Sequence, residues 1–428
     1  MSTPPTPEVR VPEAPAALVG AVLPDGRRAD VELRDGRVHA IRDHVPGAPL
    51  PAHAVDLGGA LLLPAFVDGH AHLDKTFLGG PWQPHRATAD LREQIASERA
   101  ARREPTVPVA ERAAALARRM VVLGTGHVRS HVDIDPDVKL DGLHQLLAVR
   151  EEFADRLGIQ LVAFPQSGVV TAPGVADLLD AALAEGADLI GGLDPAGFDG
   201  DVDGQLDIVF GLAECHGAGI DIHLHDGGTT GTAQLRAIAD RTAALGLSGK
   251  VAVSHAYCLG GVDDDELERT AAALGTAGVA IMTNGPRRSI PPVLRLREHG
   301  VRVFAGSDNI RDAWWPFGTA DMLERATIIG LQSGFATDEE LYAAASLVTD
   351  EAAAALGLAD YGLREGARAD LVAVAASGVP EAVAGHPRRV LVLHGGRVVG
   401  PSDVDAAYPS FTPASSHKAA ATPGVIRL

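Results

Sequence analysis

The chain has 428 residues, 46% of them hydrophobic and only 4% aromatic, with a formal net charge of −19. That charge weighs against tight binding to nucleic acid or anionic membrane. The two cysteines, Cys215 and Cys258, exclude a disulfide framework and fit a reducing compartment. No apolar run reaches the length of a membrane span, and residues 1–15 lack the basic-then-apolar order of a secretion signal. The expectation is a soluble, cytoplasmic protein.

In chain order, residues 17–63 read as short strands, with hairpin signals at Asp25-Gly26 and Asp35-Gly36. Apolar, β-branched segments follow at 61–67, 126–132, 159–164, 188–193, 219–223, 250–254, 278–283 and 301–305. Between them lie Ala- and Leu-rich stretches with helical spacing, at 111–123, 140–157, 175–185, 206–216, 233–245 and 264–274. Eight strands alternating with helices predict a (β/α)8 barrel. A doubly wound sheet needs a phosphate-binding glycine fingerprint near its first strand, and none is there. Short strands return at 370–374, 390–393 and 397–399, around Gly395-Gly396. The expected organisation is a barrel over 63–365 and a small β-sandwich made by both chain ends, 17–62 and 366–400. A loose C-terminal arm is expected over 401–428.

Polar, metal-binding residue types recur where the apolar runs stop. His70 and His72 sit two apart after the first run, and alternate strand positions share a face. His223 ends the fifth segment, His255 the sixth, and Asp308 follows the eighth. Barrels of this kind carry their chemistry at the C-terminal ends of the strands. Single histidines such as His127, His131 and His144 are read as hydrogen-bonded core residues, whereas the strand-end set is read as one metal site. Three neutral imidazoles and a carboxylate suit one Zn²⁺ or Fe²⁺ per subunit. Such a metal lowers the pKa of a bound water towards neutrality. The fourth segment ends Gly191-Gly192-Leu193-Asp194 without a lysine that a two-metal site would use.

Six motifs carry a resemblance. They are His70-Ala71-His72-Leu73-Asp74-Lys75, Ala163-Phe164-Pro165-Gln166-Ser167-Gly168, Gly191-Gly192-Leu193-Asp194-Pro195, His223-Leu224-His225-Asp226, Ser254-His255-Ala256-Tyr257-Cys258, and Ser307-Asp308-Asn309-Ile310-Arg311-Asp312 followed by Trp314. In order and spacing the chain resembles the amidohydrolase superfamily, within it the cytosine deaminase group, and there the branch of N-isopropylammelide isopropylaminohydrolase. The resemblance implies His70, His72, His223 and Asp308 as metal ligands. It implies His255 as the residue that holds the attacking water and the tetrahedral intermediate, and Asp308 as acceptor of the water proton. It implies Gln166 as the reader of a ring amide edge, and a homo-oligomer.

Two positions depart from cytosine deaminase. Asp226 stands where that group has glutamate, so proton delivery to the leaving nitrogen falls to Asp226 or to His225. Asn309 stands where it has aspartate, which removes a charge beside the substrate. Lys75 is placed to meet a ring oxygen or an anionic ring, or else an ion pair with Asp74 or Asp312. Trp314 offers an aromatic wall, Arg287-Arg288 is read as surface, and Cys258 as a small buried residue. The expected activity is metal-dependent hydrolytic removal of an exocyclic amino or alkylamino group from a small pyrimidine-, triazine- or related heterocycle, with cytosine itself not the best substrate. The alternatives are cyclic amide ring opening and a noncatalytic binding protein of the same fold.

Overall fold

The computed structural model describes residues 12–400 apart from 86, 87, 89 and 103–106. The arm expected over 401–428 lies outside the described residues. Among those described, no helix is long and apolar enough to cross a membrane.

Strands β1 (Ala17–Val22), β2 (Arg28–Arg34), β3 (Arg37–Asp43), β4 (Ala54–Asp56) and β5 (Leu61–Pro64) come first. Eight barrel strands follow: β6 (Phe66–Ala71), β7 (Thr125–Asp133), β8 (Gly158–Phe164), β9 (Leu189–Leu193), β10 (Gly219–Leu224), β11 (Val251–His255), β12 (Ala280–Thr283) and β13 (Val303–Ala305). The chain closes with β14 (Leu371–Val374), β15 (Arg389–His394) and β16 (Arg397–Gly400).

The barrel strands pair in parallel, each with its sequence neighbour. The ring closes between β6 and the segment after β13, where Ala71 bridges Asp308 and the Asp308 N–H donates to the His70 carbonyl at 2.7 Å. Only glycine fits at two points of this seam. A Cβ at Gly69 would lie 2.3 Å from the Phe304 ring, and one at Gly306 would lie 2.5 Å from the Cβ of His70. This close approach seats Asp308 beside the histidines of β6. Helices return the chain between strands. Asp201 and Asp263 cap the helices Val202–His216 and Asp264–Ala277, which end on left-handed Gly217 and Gly278.

Both chain ends build one eight-stranded sheet in the order β16-β15-β14-β5-β1-β2-β3, with β4 on β1. It packs on its own apolar cluster, which includes Leu18, Val31, Leu62, Leu371 and Leu393. The predicted turns are there. Asp35 and Gly36 both take positive φ, as do Gly395 and Gly396, matching two-residue hairpin turns. The two tips touch, since a Cβ at Gly36 would fall 2.9 Å from the Gly395 carbonyl oxygen.

The expected first barrel strand, 61–67, is two strands in two sheets. Pro64 has no N–H to continue a ladder. Residues up to Pro64 pair with β14 and β1, and from Phe66 the chain pairs with β7. The first barrel strand is thereby shifted towards His70.

Where the end sheet meets the barrel, Asp370 accepts a hydrogen bond from the ring of His127 at 3.3 Å and lies 3.3 Å from His394 Nδ1. Burial holds the His394 ring down to about 4. Burial opposes ionisation of Asp370, but His127, His394 and the Gly395 N–H outweigh it and keep its carboxyl at about 2. The unfolded His394 takes up its proton near pH 6.5 and the folded one only near 4. Its contribution is therefore present above pH 6.5 and lost as pH falls to 4, at most about 3 kcal/mol. Asp370 adds a loss below pH 3.8. A His394→Asn variant should show a shallower fall in melting temperature between pH 7 and 4.5 than the parent. Equal slopes in scanning calorimetry would reject this assignment.

Candidate metal centre and substrate cavity

His70 is wholly buried, and its tautomer follows from its partners. Ser254 Oγ donates to Asp221 Oδ1 at 2.7 Å, so it can only accept at 2.8 Å from His70 Nδ1–H. Asp221 is itself held by Arg129 at 2.9 Å. The lone pair of His70 therefore sits on Nε2, 3.3 Å from His72 Nε2 and 3.6 Å from Asp308 Oδ1. His72 Nε2 lies 3.4 Å from the same oxygen. His223 is buried with neither ring nitrogen partnered.

Ligand atoms of His70, His72 and Asp308 lie within 4.8 Å of one another, as do those of His70, His223 and His255. Burial holds His72 down to about 3, with help from the Lys75 charge, and holds His223 and His255 well below the usual imidazole range. Burial opposes the charge on Asp308, but His255, His70 and His72 outweigh it and hold that carboxyl well below its usual range. The result is a set of neutral imidazoles with buried, unshared lone pairs around one carboxylate. This donor set fits a divalent metal ion.

A second chain of bonds runs round the centre. Asn284 Nδ2 donates to Asp308 Oδ2 at 2.6 Å, leaving Asn284 Oδ1 to accept from the Tyr257 hydroxyl at 3.2 Å. Having donated there, the hydroxyl accepts from His255 Nδ1–H at 3.2 Å. His255 thus presents an unprotonated Nε2. Burial pushes the Tyr257 phenol up to about 12, which keeps the donor proton in place. His255 and Asp308 both hold left-handed backbone, at φ 74° and 60°. Such conformations in residues other than glycine are costly and cluster at functional sites.

The centre opens into a cavity of about 330 Å³. Its lining includes His72, Lys75, Gln166, His223, His225, His255, Asp308, Asn309 and Trp314, with His70 beneath. Lys75 Nζ donates to Gln166 Oε1 at 2.5 Å and lies 3.1 Å from Asp133 and 3.6 Å from Glu98. Burial lowers the Lys75 pKa, but Asp133, Glu98 and Asp74 overcome it and raise the ammonium above its usual value. Only an amide oxygen can accept from an ammonium, so Gln166 turns its NH₂ to the cavity. Of the two acids named for Lys75 from the sequence, Asp74 contributes only through its charge and Asp312 forms no ion pair with it. The pairs fall on Asp133 and Glu98, from β7 and the helix Leu91–Ala101.

Asp226 is not among the lining residues. Its Oδ2 accepts from the Gly197 N–H at 2.8 Å and from Gln234 Nε2 at 2.9 Å, clasping the turn at Pro195–Asp199. His225 does face the cavity. Asp194 Oδ2 binds its Nδ1 at 2.8 Å, and the ring stacks on His255 with centroids 4.5 Å apart. Asn309 Nδ2 donates to Asp312 Oδ2 at 2.7 Å. An aspartate at 309 would set a second carboxylate against Asp312, so Asn309→Asp does not probe substrate charge alone.

Several residues were missed from sequence. His131 was read as a hydrogen-bonded core histidine. It is buried, but neither ring nitrogen has a hydrogen-bond partner, its Nε2 lying 3.8 Å from Asp221 Oδ2 and its ring 4.0 Å from that of His70. Its place near the end of β7 was the signal. Asp194 directly follows β9, as Asp308 follows β13, and Tyr257 follows His255 closely. Arg287, read as surface, lines the cavity, as do both Trp314 and Trp315. Trp82 is 61% exposed and outside it, and Cys258 is buried as expected.

Residues 53–400 match the model of the amidohydrolase family. The chain is 32% identical over 362 residues to the N-isopropylammelide isopropyl amidohydrolase of Pseudomonas sp. strain ADP, covering 82% of this chain and 89% of that one. The crystal structure of N-isopropylammelide isopropylaminohydrolase from Burkholderia multivorans superposes with a TM-score of 0.85 at 40% identity, covering 90% of this chain and 98% of that one. The 5-methylcytosine deaminase of Klebsiella pneumoniae, solved with 5-fluorocytosine, gives 0.82 at 28% identity, covering 89% and 96%. With its barrel, its strand-end cluster and a family match over most of its length, the chain belongs to the amidohydrolase family.

Proposed function

We propose that this protein hydrolytically removes an exocyclic amino or alkylamino group from a nitrogen heterocycle carrying a ring carbonyl or anionic edge. The observation that carries this is one cavity wall of metal-ligating side chains facing an amide NH₂ and two tryptophans. The relatives named above, whose names specify C–N hydrolysis on such rings, support it. His70, His72, His223 and Asp308 would hold one divalent ion, zinc or iron. When bound, that ion supplies Lewis acidity and makes a water acidic enough to react near neutral pH.

The chain's own groups do the rest. Gln166, fixed by Lys75, donates to a ring oxygen or nitrogen and orients the ring. Trp314, 5.4 Å from Lys75 Nζ, contributes a flat wall. Asp308 takes a proton from the attacking water. His255, with its free Nε2, accepts a hydrogen bond from that water and then from the hydroxyl it becomes on the ring carbon. His225, backed by Asp194, delivers a proton to the departing nitrogen. We place the enzyme in the cytoplasm as a homo-oligomer on its composition and family resemblance.

The test is a panel of aminated pyrimidines, triazines, pterins and purines given to zinc- or iron-loaded protein, scored by ammonia or amine released. At least one member should reach kcat/KM of about 10⁴ M⁻¹s⁻¹. Ring opening without amine release, or no turnover at all by metal-loaded protein, would reject the proposal.

A further inference from the structure

Two cations line the cavity's polar wall, and they differ in one respect. Lys75 is compensated by Asp133 and Glu98 within 3.6 Å. Arg287 has no carboxylate within ion-pair distance among the described residues. Its Nε donates to the Tyr257 hydroxyl at 3.3 Å, and its guanidinium carbon lies 5.1 Å from the Trp315 ring centroid. It is therefore an exposed side chain held in place, with its remaining N–H groups unspent. The acids in the lining are engaged elsewhere. Asp308 belongs to the histidine cluster, and Asp90 caps the helix Leu91–Ala101 by accepting from the Glu93 N–H at 2.9 Å.

Topology supplies the second observation. Gln166 follows β8 and Arg287 follows β12. These strands are four apart in a ring of eight, so the two side chains face each other across the mouth with the cluster of β6, β10 and β13 between them. A ligand whose amide edge meets Gln166, and whose reacting carbon lies over the cluster, has its far end at Arg287. A planar guanidinium stacked on an aromatic ring and lacking a protein acid is suited to bind a carboxylate by two parallel bonds.

We propose that the substrate is an acid: an aminated nitrogen heterocycle bearing a carboxylate at the end opposite its amide edge, bound by Arg287. This rests on the deaminase reading above and specifies its substrate class. The acid group is bound and not transformed, and the reaction at the ring carbon is unchanged.

The experiment compares matched pairs, an aminopyrimidinone, an amino-hydroxytriazine and a pterin, each with and without a ring carboxylate. The parent, Arg287→Met and Arg287→Lys are compared as metal-loaded full-length chains. The parent should favour the acid member of the productive pair by about 10–100-fold in kcat/KM, mostly through KM. Arg287→Met should cut that ratio at least tenfold, and Arg287→Lys should keep part of it. In parallel, calorimetry measures binding of unreactive pyrimidine carboxylates to parent and Arg287→Met. If no pair member releases amine but ring acids bind only when Arg287 is present, the deaminase reading fails and the acid site stands. If neutral members turn over and acids neither bind better nor react faster, the acid site fails alone. An equal loss of kcat on both members in Arg287→Met also overturns it, because Arg287 then acts through Tyr257 and His255.

Discussion

Replacing His70 by alanine is expected to remove bound metal and turnover together. His70 is the member of the cluster whose tautomer is fixed from behind, through Ser254 and Asp221, so its Nε2 lone pair is committed to the centre. Metal assistance supplies several kcal/mol of transition-state stabilisation, so its loss lowers kcat/KM by roughly 10³-fold or more. Metal content by elemental analysis and turnover on the best substrate are the two readouts, with circular dichroism to confirm folding. A folded His70→Ala protein that retains stoichiometric metal and activity would mean the ligand set is wrongly assigned.

Replacing His225 by alanine should lower kcat by about 10²–10⁴-fold with the metal retained. Asp226→Asn should cost far less. Oδ2 of Asp226 holds both Gly197 and Gln234, and an asparagine oxygen in its place can still accept from both. The pair of variants separates the two candidates for the proton shuttle that sequence alone left open. A large kcat loss in Asp226→Asn beside an active His225→Ala protein would reverse the assignment.

Why this question stayed open in the sequence has a physical reason. Strand periodicity places His223 and His225 on one face, but past the end of β10 the chain leaves the ladder and alternation no longer dictates direction. What turns Asp226 away is the turn at Pro195–Asp199, about thirty residues earlier, together with Gln234 on the following helix. The barrel, the strand-end cluster and both end hairpins were legible because period-2 runs, helical spacing and Asp-Gly or Gly-Gly turns are local signals. The break at Pro64 was carried by one residue inside an otherwise continuous apolar run, and the run masked it. Arg287 and the acids around Lys75 depend on which loop, helix and strand end converge at the mouth. No single stretch encodes that.

The end sheet has a consequence for synthesis. β5 lies between β1 and β14, so the N-terminal strands leave the ribosome with the edge of β5 open. The strand that covers it, Leu371–Val374, follows only after the whole barrel has been made. At ~5–20 residues per second that interval is roughly 15–60 s. During it, Leu61, Leu62 and Leu63 present unpaired backbone and apolar side chains, a template for pairing with other nascent chains. The nascent protein is therefore most exposed to aggregation before its last strands emerge, and a ribosome stalled within the barrel holds that edge open.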